Sequence, residues 1–340
     1  MKIFSTEHLD LTNWYSGEVF ASAAGSRRRG AQLTGQTNTA VPAFGATTPV
    51  DRLLLAFLAA LGALAAVFVP LPSILLEITA LAACILLAAR LRARSRLLAF
   101  IHAFLPVAVL SALVNLVGPV VERANSSRWD VALAAIDTQS FGWLLPLWKS
   151  AGGRPDWLTD AASLAYASYY LLPVGAAVVL WTAKRKQEFD RFVFSISAVL
   201  LASYAAYLIA PAAGPRVPDE IARAELGGGK VSALLRAFLR VAEHNQFDAF
   251  PSGHTAVSLA FLAAAWPAFP RLRALFALAV AAIIFSTVYL SLHYVTDVIA
   301  GAALALAVLP AVPRIQAFLQ SPGLPSRAWL VKEIRRRRLP

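Results

Sequence analysis

Apolar residues fall in long blocks along this chain rather than in alternation. Eight runs, at 51–70, 73–89, 97–121, 161–182, 192–213, 252–269, 274–292 and 295–313, carry few charges, and polar or basic segments separate most of them. A bilayer core takes about 20 mostly apolar residues per helix, so the pattern predicts an all-α, polytopic integral membrane bundle of about eight transmembrane helices. The last two runs join without Gly or Pro between Leu272 and Ile299. One helix through 274–309 would be roughly 54 Å long, against a hydrocarbon core of about 30 Å. The chain is therefore expected to turn near Leu290 to Tyr294, in the polar cluster SLHYVTD.

Composition agrees with the pattern. The 340 residues are 58% hydrophobic and 15% charged, with a mean hydropathy of +0.62, outside the range of ordinary soluble domains. Three regions follow: a disordered polar tail over 1–50, a transmembrane domain over 51–313, and a basic tail over 314–340. RRRG in the first region is followed by polar sequence rather than an apolar segment, so a cleaved or twin-arginine signal is not expected. The single Cys84 allows neither a disulfide framework nor a cysteine metal site.

Charge sets the expected orientation. With both termini cytoplasmic, 22 of the 31 Lys and Arg fall on cytoplasmic tails and short loops; the other 9 lie in 122–160 and 214–251. The positive-inside rule thus places those two long loops outside, as expected for an inner (plasma) membrane protein. The net charge of +12 is read as a topology signal and an attraction to the anionic leaflet, not as a nucleic-acid footprint. Within 122–160, Trp129, Trp143 and Trp148 sit among apolar and acidic residues, a pattern that suits an interfacial amphipathic helix. The tryptophans serve there as plain anchors, or as a wall that guides lipid to a site.

Chemistry enters at FDAFPSGHTAVSLAF, residues 247–261. Ser252 suits an N-cap with Pro251 just outside, so a helix starts near His254. Free backbone N–H groups at a helix start favour anions, and Gly253 would let a phosphate approach closely. Alone, this is also compatible with a capped helix that happens to carry an interfacial His. In STVYLSLHYVTD, however, His293 and Asp297 are four apart, so a carboxylate can hold one imidazole nitrogen and leave the other as a nucleophile. Arg216 in APAAGPRVP closes the fifth run at the same expected face. Three distant segments thus deliver an Arg, a capped helix start with His, and a His–Asp pair to one interface.

APAAGPR, FPSGHTAVSLAF and TVYLSLHYVTDVIAG resemble the three signature segments of the type 2 phosphatidic acid phosphatase superfamily. The resemblance implies a six-helix catalytic core, phosphate binding by Arg216, Ser252 and Gly253, His254 as general acid, His293 as nucleophile and Asp297 as its orienter. It implies no metal and no cofactor. Two phosphate-clamping cations of the family pattern are missing: the first-motif Lys position is Ile209 and the third-motif Arg position is Thr287. Their loss resembles the branch typified by inositol phosphorylceramide synthases, which move a phosphodiester head group between lipids. A diester carries one charge where a monoester or pyrophosphate carries about two or more, so fewer fixed cations suffice. Lys230, Arg223, Arg236 or Arg240 could restore the clamp from the loop.

The expected partners are the membrane, a phospholipid or lipid phosphate donor, and a lipid alcohol or water as acceptor. Hydrolysis of a lipid phosphate or polyprenyl pyrophosphate is the competing reaction. A non-catalytic transporter would require mid-membrane charges or broken helices, of which Asn115 and Gly118–Pro119 are the only hints.

Overall fold

Each apolar run becomes a helix, and polar caps fix where several of them begin. The structure, a computed structural model, describes residues 47–69, 71–144, 154–215, 227–242 and 247–320, without the side chains of 240–242. Helix α1 is Pro49–Phe68, α2 Pro72–Leu91 and α3 Arg96–Ala124. Thr48 caps α1 through a reciprocal pair: Asp51 N–H donates to its hydroxyl, and the Asp51 carboxylate accepts Thr48 N–H at 2.7 Å. Ser95 caps α3 by accepting Leu98 N–H at 3.1 Å. Such caps satisfy donors that the helix itself leaves unpaired.

The remaining helices are α4 Asp130–Phe141, α5 Asp156–Thr182, α6 Lys186–Ile209, α7 Lys230–Ala242, α8 Gly253–Ala268, α9 Arg273–Tyr289, α10 Val295–Val308 and α11 Val312–Gln320. Short 3₁₀ turns precede α9 and join α10 to α11. Among the described residues, seven helical stretches are long and apolar enough to cross a membrane. The remaining expected run is α8, whose 16 residues span about 24 Å. It needs no long lipid-facing surface because it is wrapped by α5, α6, α9 and α10.

Helices α5, α6, α9 and α10 pack directly on α8, and α3 joins this group through α6. Phe192, Phe261 and Phe276 interlock α6, α8 and α9 with ring centroids 5.0–5.9 Å apart, and Phe104 of α3 meets Trp181 of α5 and Phe189 of α6. Helices α1 and α2 lean on α3 from outside through Leu54, Leu58, Leu61, Ile78 and Ile85. Large apolar side chains such as Leu76, Leu164, Leu171, Leu278 and Leu306 point outward, as a lipid-facing surface requires.

The two ends of the bundle differ in chemistry. At one end lie the starts of α1 and α3, the α5–α6 turn, the end of α8 and all of α11. There Asp51 and His102 form a buried contact of 3.0 Å, Arg52 donates to Leu319 O, and Arg185 donates to Ala268 O. The basic segments 90–96, 184–191 and 271–273 gather at this end. At the opposite end lie the last turn of α3, α4, the start of α5, α7 and the α9–α10 turn.

Residues 1–46 and 321–340, which hold most of both expected tails, lie outside the described residues; α1 starts at Pro49, and α11 packs on α1 and α6. Segment 122–160 contains the end of α3, α4 and the start of α5. Helix α4 has no continuous apolar face, since Val131 and Ile136 are exposed and Leu133 is buried. Asp130 pins it by accepting N–H groups of Ala213 and Gly214 at 2.8 and 2.9 Å. Asp137 accepts Thr296 N–H at 3.0 Å. Trp129 and Trp143 are exposed as an anchoring role requires; Trp148 lies outside the described residues. Helix α7 is strongly amphipathic, with Leu235 buried and Val231, Leu234 and Phe238 exposed.

Candidate active site

The α9–α10 turn is where the sequence required one. Helix α9 ends at Tyr289, Ser291 adopts φ 55°, and α10 begins at Val295. The carbonyl of Thr287 accepts both Leu292 N–H at 2.9 Å and His293 N–H at 3.1 Å, which folds the turn back onto the end of α9. His293 therefore sits in the turn rather than on the helix that carries Asp297. The pairing survives by a different route from the helical face expected: Asp297 occupies the first turn of α10, accepts Tyr294 N–H at 2.8 Å, and brings Oδ2 to 3.5 Å from His293 Nδ1.

The PSGH segment meets this turn directly. Ser252 is the N-cap of α8, its hydroxyl accepting Thr255 N–H at 3.3 Å and the Thr255 hydroxyl at 3.2 Å. Its own N–H donates to Asp297 O at 2.9 Å, which ties α8 to α10. His254 follows in the first turn of α8, with Nδ1 facing His293 Nε2 at 3.3 Å. Asp297, His293 and His254 thus form one line, and Ser252, His254, His293 and Asp297 are all buried. No cluster of His, Cys, Asp or Glu suited to a metal ion occurs among the described residues.

Two glycines explain how the segments approach so closely. A β-carbon at Gly301 on α10 would overlap the carbonyl oxygen of Ser252. One at Gly253 would overlap the Tyr207 hydroxyl. The absent side chain at 253 thus makes room for the Tyr207 hydroxyl of α6.

The first signature segment reaches the same place. Ala212 O accepts Ala249 N–H at 3.0 Å, and Gly214 packs against Ala249 and Leu292. Arg216 and Arg223 lie outside the described residues, as does the side chain of Arg240. Lys230 is exposed, and Arg236 donates to Gly227 O at 3.4 Å. Ile209 is 73% exposed. Thr287 is fully buried, and its hydroxyl donates to Ile284 O at 2.7 Å.

Several residues around the site were not anticipated. Tyr166, Tyr169 and Tyr170 of α5 surround the His254 ring, with centroids at 4.5, 4.4 and 6.3 Å. Phe238 of α7 extends this aromatic group through Tyr170 at 5.4 Å. Their spacing of three and four on one predicted helix was the available signal, obscured because tyrosines also serve as ordinary span residues. Arg154, just ahead of α5, donates from Nη2 to Ser291 Oγ at 3.1 Å and lies 5.5 Å from the Tyr289 ring centroid.

The model of the PAP2 superfamily matches residues 131–311, which contain all four core site residues, and the chain belongs to that superfamily. It is a membrane-helical member of a lipid phosphatase and phosphotransferase family. A PA-phosphatase related-family protein of Dictyostelium discoideum is 25% identical over 210 residues, 52% of this chain and 38% of the relative. The match therefore spans well under half of that relative's length. No solved structure matches the chain significantly.

Proposed function

We propose that the chain transfers a phosphorylated head group between membrane lipids through a phosphohistidine at His293. The observation that carries this reading is the buried line from Asp297 through His293 to His254, with contacts of 3.5 and 3.3 Å. Asp297 orients the ring from the Nδ1 side, so Nε2 is the nucleophilic atom. In the first step Nε2 bonds to phosphorus, the bond from phosphorus to the donor's leaving oxygen breaks, and that oxygen takes a proton from His254. In the second step the acceptor's O–H gives its proton to His254 as its oxygen attacks phosphorus and the P–N bond breaks. A reacting phosphoryl group cannot fit within a 3.3 Å gap, so the two imidazoles separate when substrate enters. The start of α8 supplies backbone N–H groups to the phosphate oxygens, and Arg216 is assigned the first-motif cation by the resemblance.

The choice of a diester donor rests on the resemblance to the head-group transferase branch, which the residues at 209 and 287 carry. The printed name of the Dictyostelium relative favours a second reading, hydrolysis of phosphatidic acid. Purified chain offered labelled phospholipid and a lipid alcohol is expected to form the transferred product and to release inorganic phosphate from phosphatidic acid only slowly. Rapid phosphate release with no transfer to any alcohol offered would establish the hydrolytic reading instead.

The same reading puts the site on the extracytoplasmic side and both termini in the cytoplasm, supported by the basic segments at the bundle end opposite the histidines. In a Cys84→Ser background, a cysteine replacing exposed Lys230 is expected to react with an impermeant maleimide in intact cells. One replacing exposed Gln187 is not. The reverse pattern would put the site in the cytoplasm.

A further inference from the structure

The third-motif position that carries a cation in the family pattern offers no cation here and no route for one. Thr287 is fully buried, its hydroxyl turned back on Ile284 O and its carbonyl occupied by the turn. Arg154 arrives at the same turn from another part of the chain. Its guanidinium donates to Ser291 Oγ, two residues before His293, and lies over Tyr289, the last residue of α9.

The segment that presents Arg154 is held firmly. Asp156 accepts Gly228 N–H at 2.7 Å. Asp160 accepts N–H groups of Gly229 and Ser232 at 2.9 Å each, and the Ser232 hydroxyl. Thr159 Oγ1 lies 3.4 Å from the Tyr289 hydroxyl. The start of α5 is thereby fixed both to α7 and to the end of α9, so the guanidinium is carried by a braced backbone rather than by a free loop.

We propose that Arg154 supplies the cation that position 287 lacks, donating to a non-bridging oxygen of the substrate's phosphoester group as it reaches His293. This assignment rests on the phosphotransfer reading and deepens it. A guanidinium presents parallel N–H donors in a fork that matches the oxygens of a phosphate. Burial lowers its pKa from the ordinary arginine value, yet the group remains a cation at neutral pH. Its partial desolvation strengthens its pull on an anion. Entry from the loop before α5 also explains how the family's third-motif cation can be absent while the neighbouring histidine, aspartate and capped helix remain.

The test uses the full chain in lipid nanodiscs, with orthovanadate as the phosphate-shaped probe and phosphoester turnover measured in parallel. Arg154→Gln keeps a donor for Ser291 but loses the charge; Arg154→Lys keeps the charge. The glutamine variant is expected to bind vanadate at least about tenfold more weakly and to lose about 10²-fold in kcat/KM, the scale for removing one donor to a charge-bearing transition state. The lysine variant is expected to recover part of both, and added ethylguanidine to rescue Arg154→Ala. Vanadate binding by Arg154→Gln within twofold of the parent would overturn the role of Arg154 while leaving the histidine chemistry standing. A glutamine variant that unfolds where the lysine variant is both folded and inactive would also overturn it. A parent chain that neither binds vanadate nor turns over a phosphoester would overturn the enzymatic reading itself.

Discussion

A chain carrying His293→Ala is expected to form no covalent phosphorus adduct and to show no turnover above background, whereas His254→Ala remains capable of the first step with a suitable donor. The two rings touch, so a purely structural account would have them fail alike. The proposed chemistry separates them. Removing a covalent nucleophile costs on the order of 10⁶-fold, because no other group takes its place. Removing a general acid costs about 10²–10⁴-fold, and less when the leaving group needs no proton. A nitrophenyl phosphodiester should therefore recover much of the activity of His254→Ala and none of that of His293→Ala. Equal rescue of both would mean that the roles are wrongly divided.

The second large effect is expected at Gly301, which touches no substrate in this account. A β-carbon there would overlap the Ser252 carbonyl, and neighbouring Thr255 is buried as well, so the added bulk has nowhere to go. Gly301→Val should push the start of α10 away from the start of α8. The Ser252 N–H bond to Asp297 O would lengthen, and Asp297 would move relative to His293. Overpacking of this kind typically costs about 1–3 kcal/mol in stability. A displacement of about 1 Å at a reacting group can cost about 10²-fold in rate. Activity is thus expected to fall far more than the melting temperature. A valine variant with parental kcat would show that the α8–α10 contact does not set the site's geometry.

The bundle was largely legible because a bilayer constrains the sequence so strongly. Apolar runs became helices, and length alone demanded the turn between Tyr289 and Val295. The start of α5 was harder to read. It lies at Asp156 rather than near 161, since Asp156 and Asp160 make the first turn polar while serving α7 as acceptors. Hydropathy takes such residues for loop. The site's skeleton was legible because Ser252, His254, His293 and Asp297 are chemically unusual at a span boundary. Its surroundings were not. Nothing local announces that Tyr207 occupies the space beside Gly253, or that Arg154 crosses to Ser291, because those contacts join segments 46 and 137 residues apart.

Trapping the intermediate tests the central claim most directly. Chain incubated with phospholipid labelled at phosphorus, without acceptor alcohol, and quenched rapidly in alkali should carry a phosphorus adduct that is stable to base and labile to acid. Peptide mass mapping should place it on His293, and the adduct should disappear on adding a lipid alcohol as the transferred product forms. An adduct on any other residue, or turnover without a trappable adduct at His293, would contradict the account.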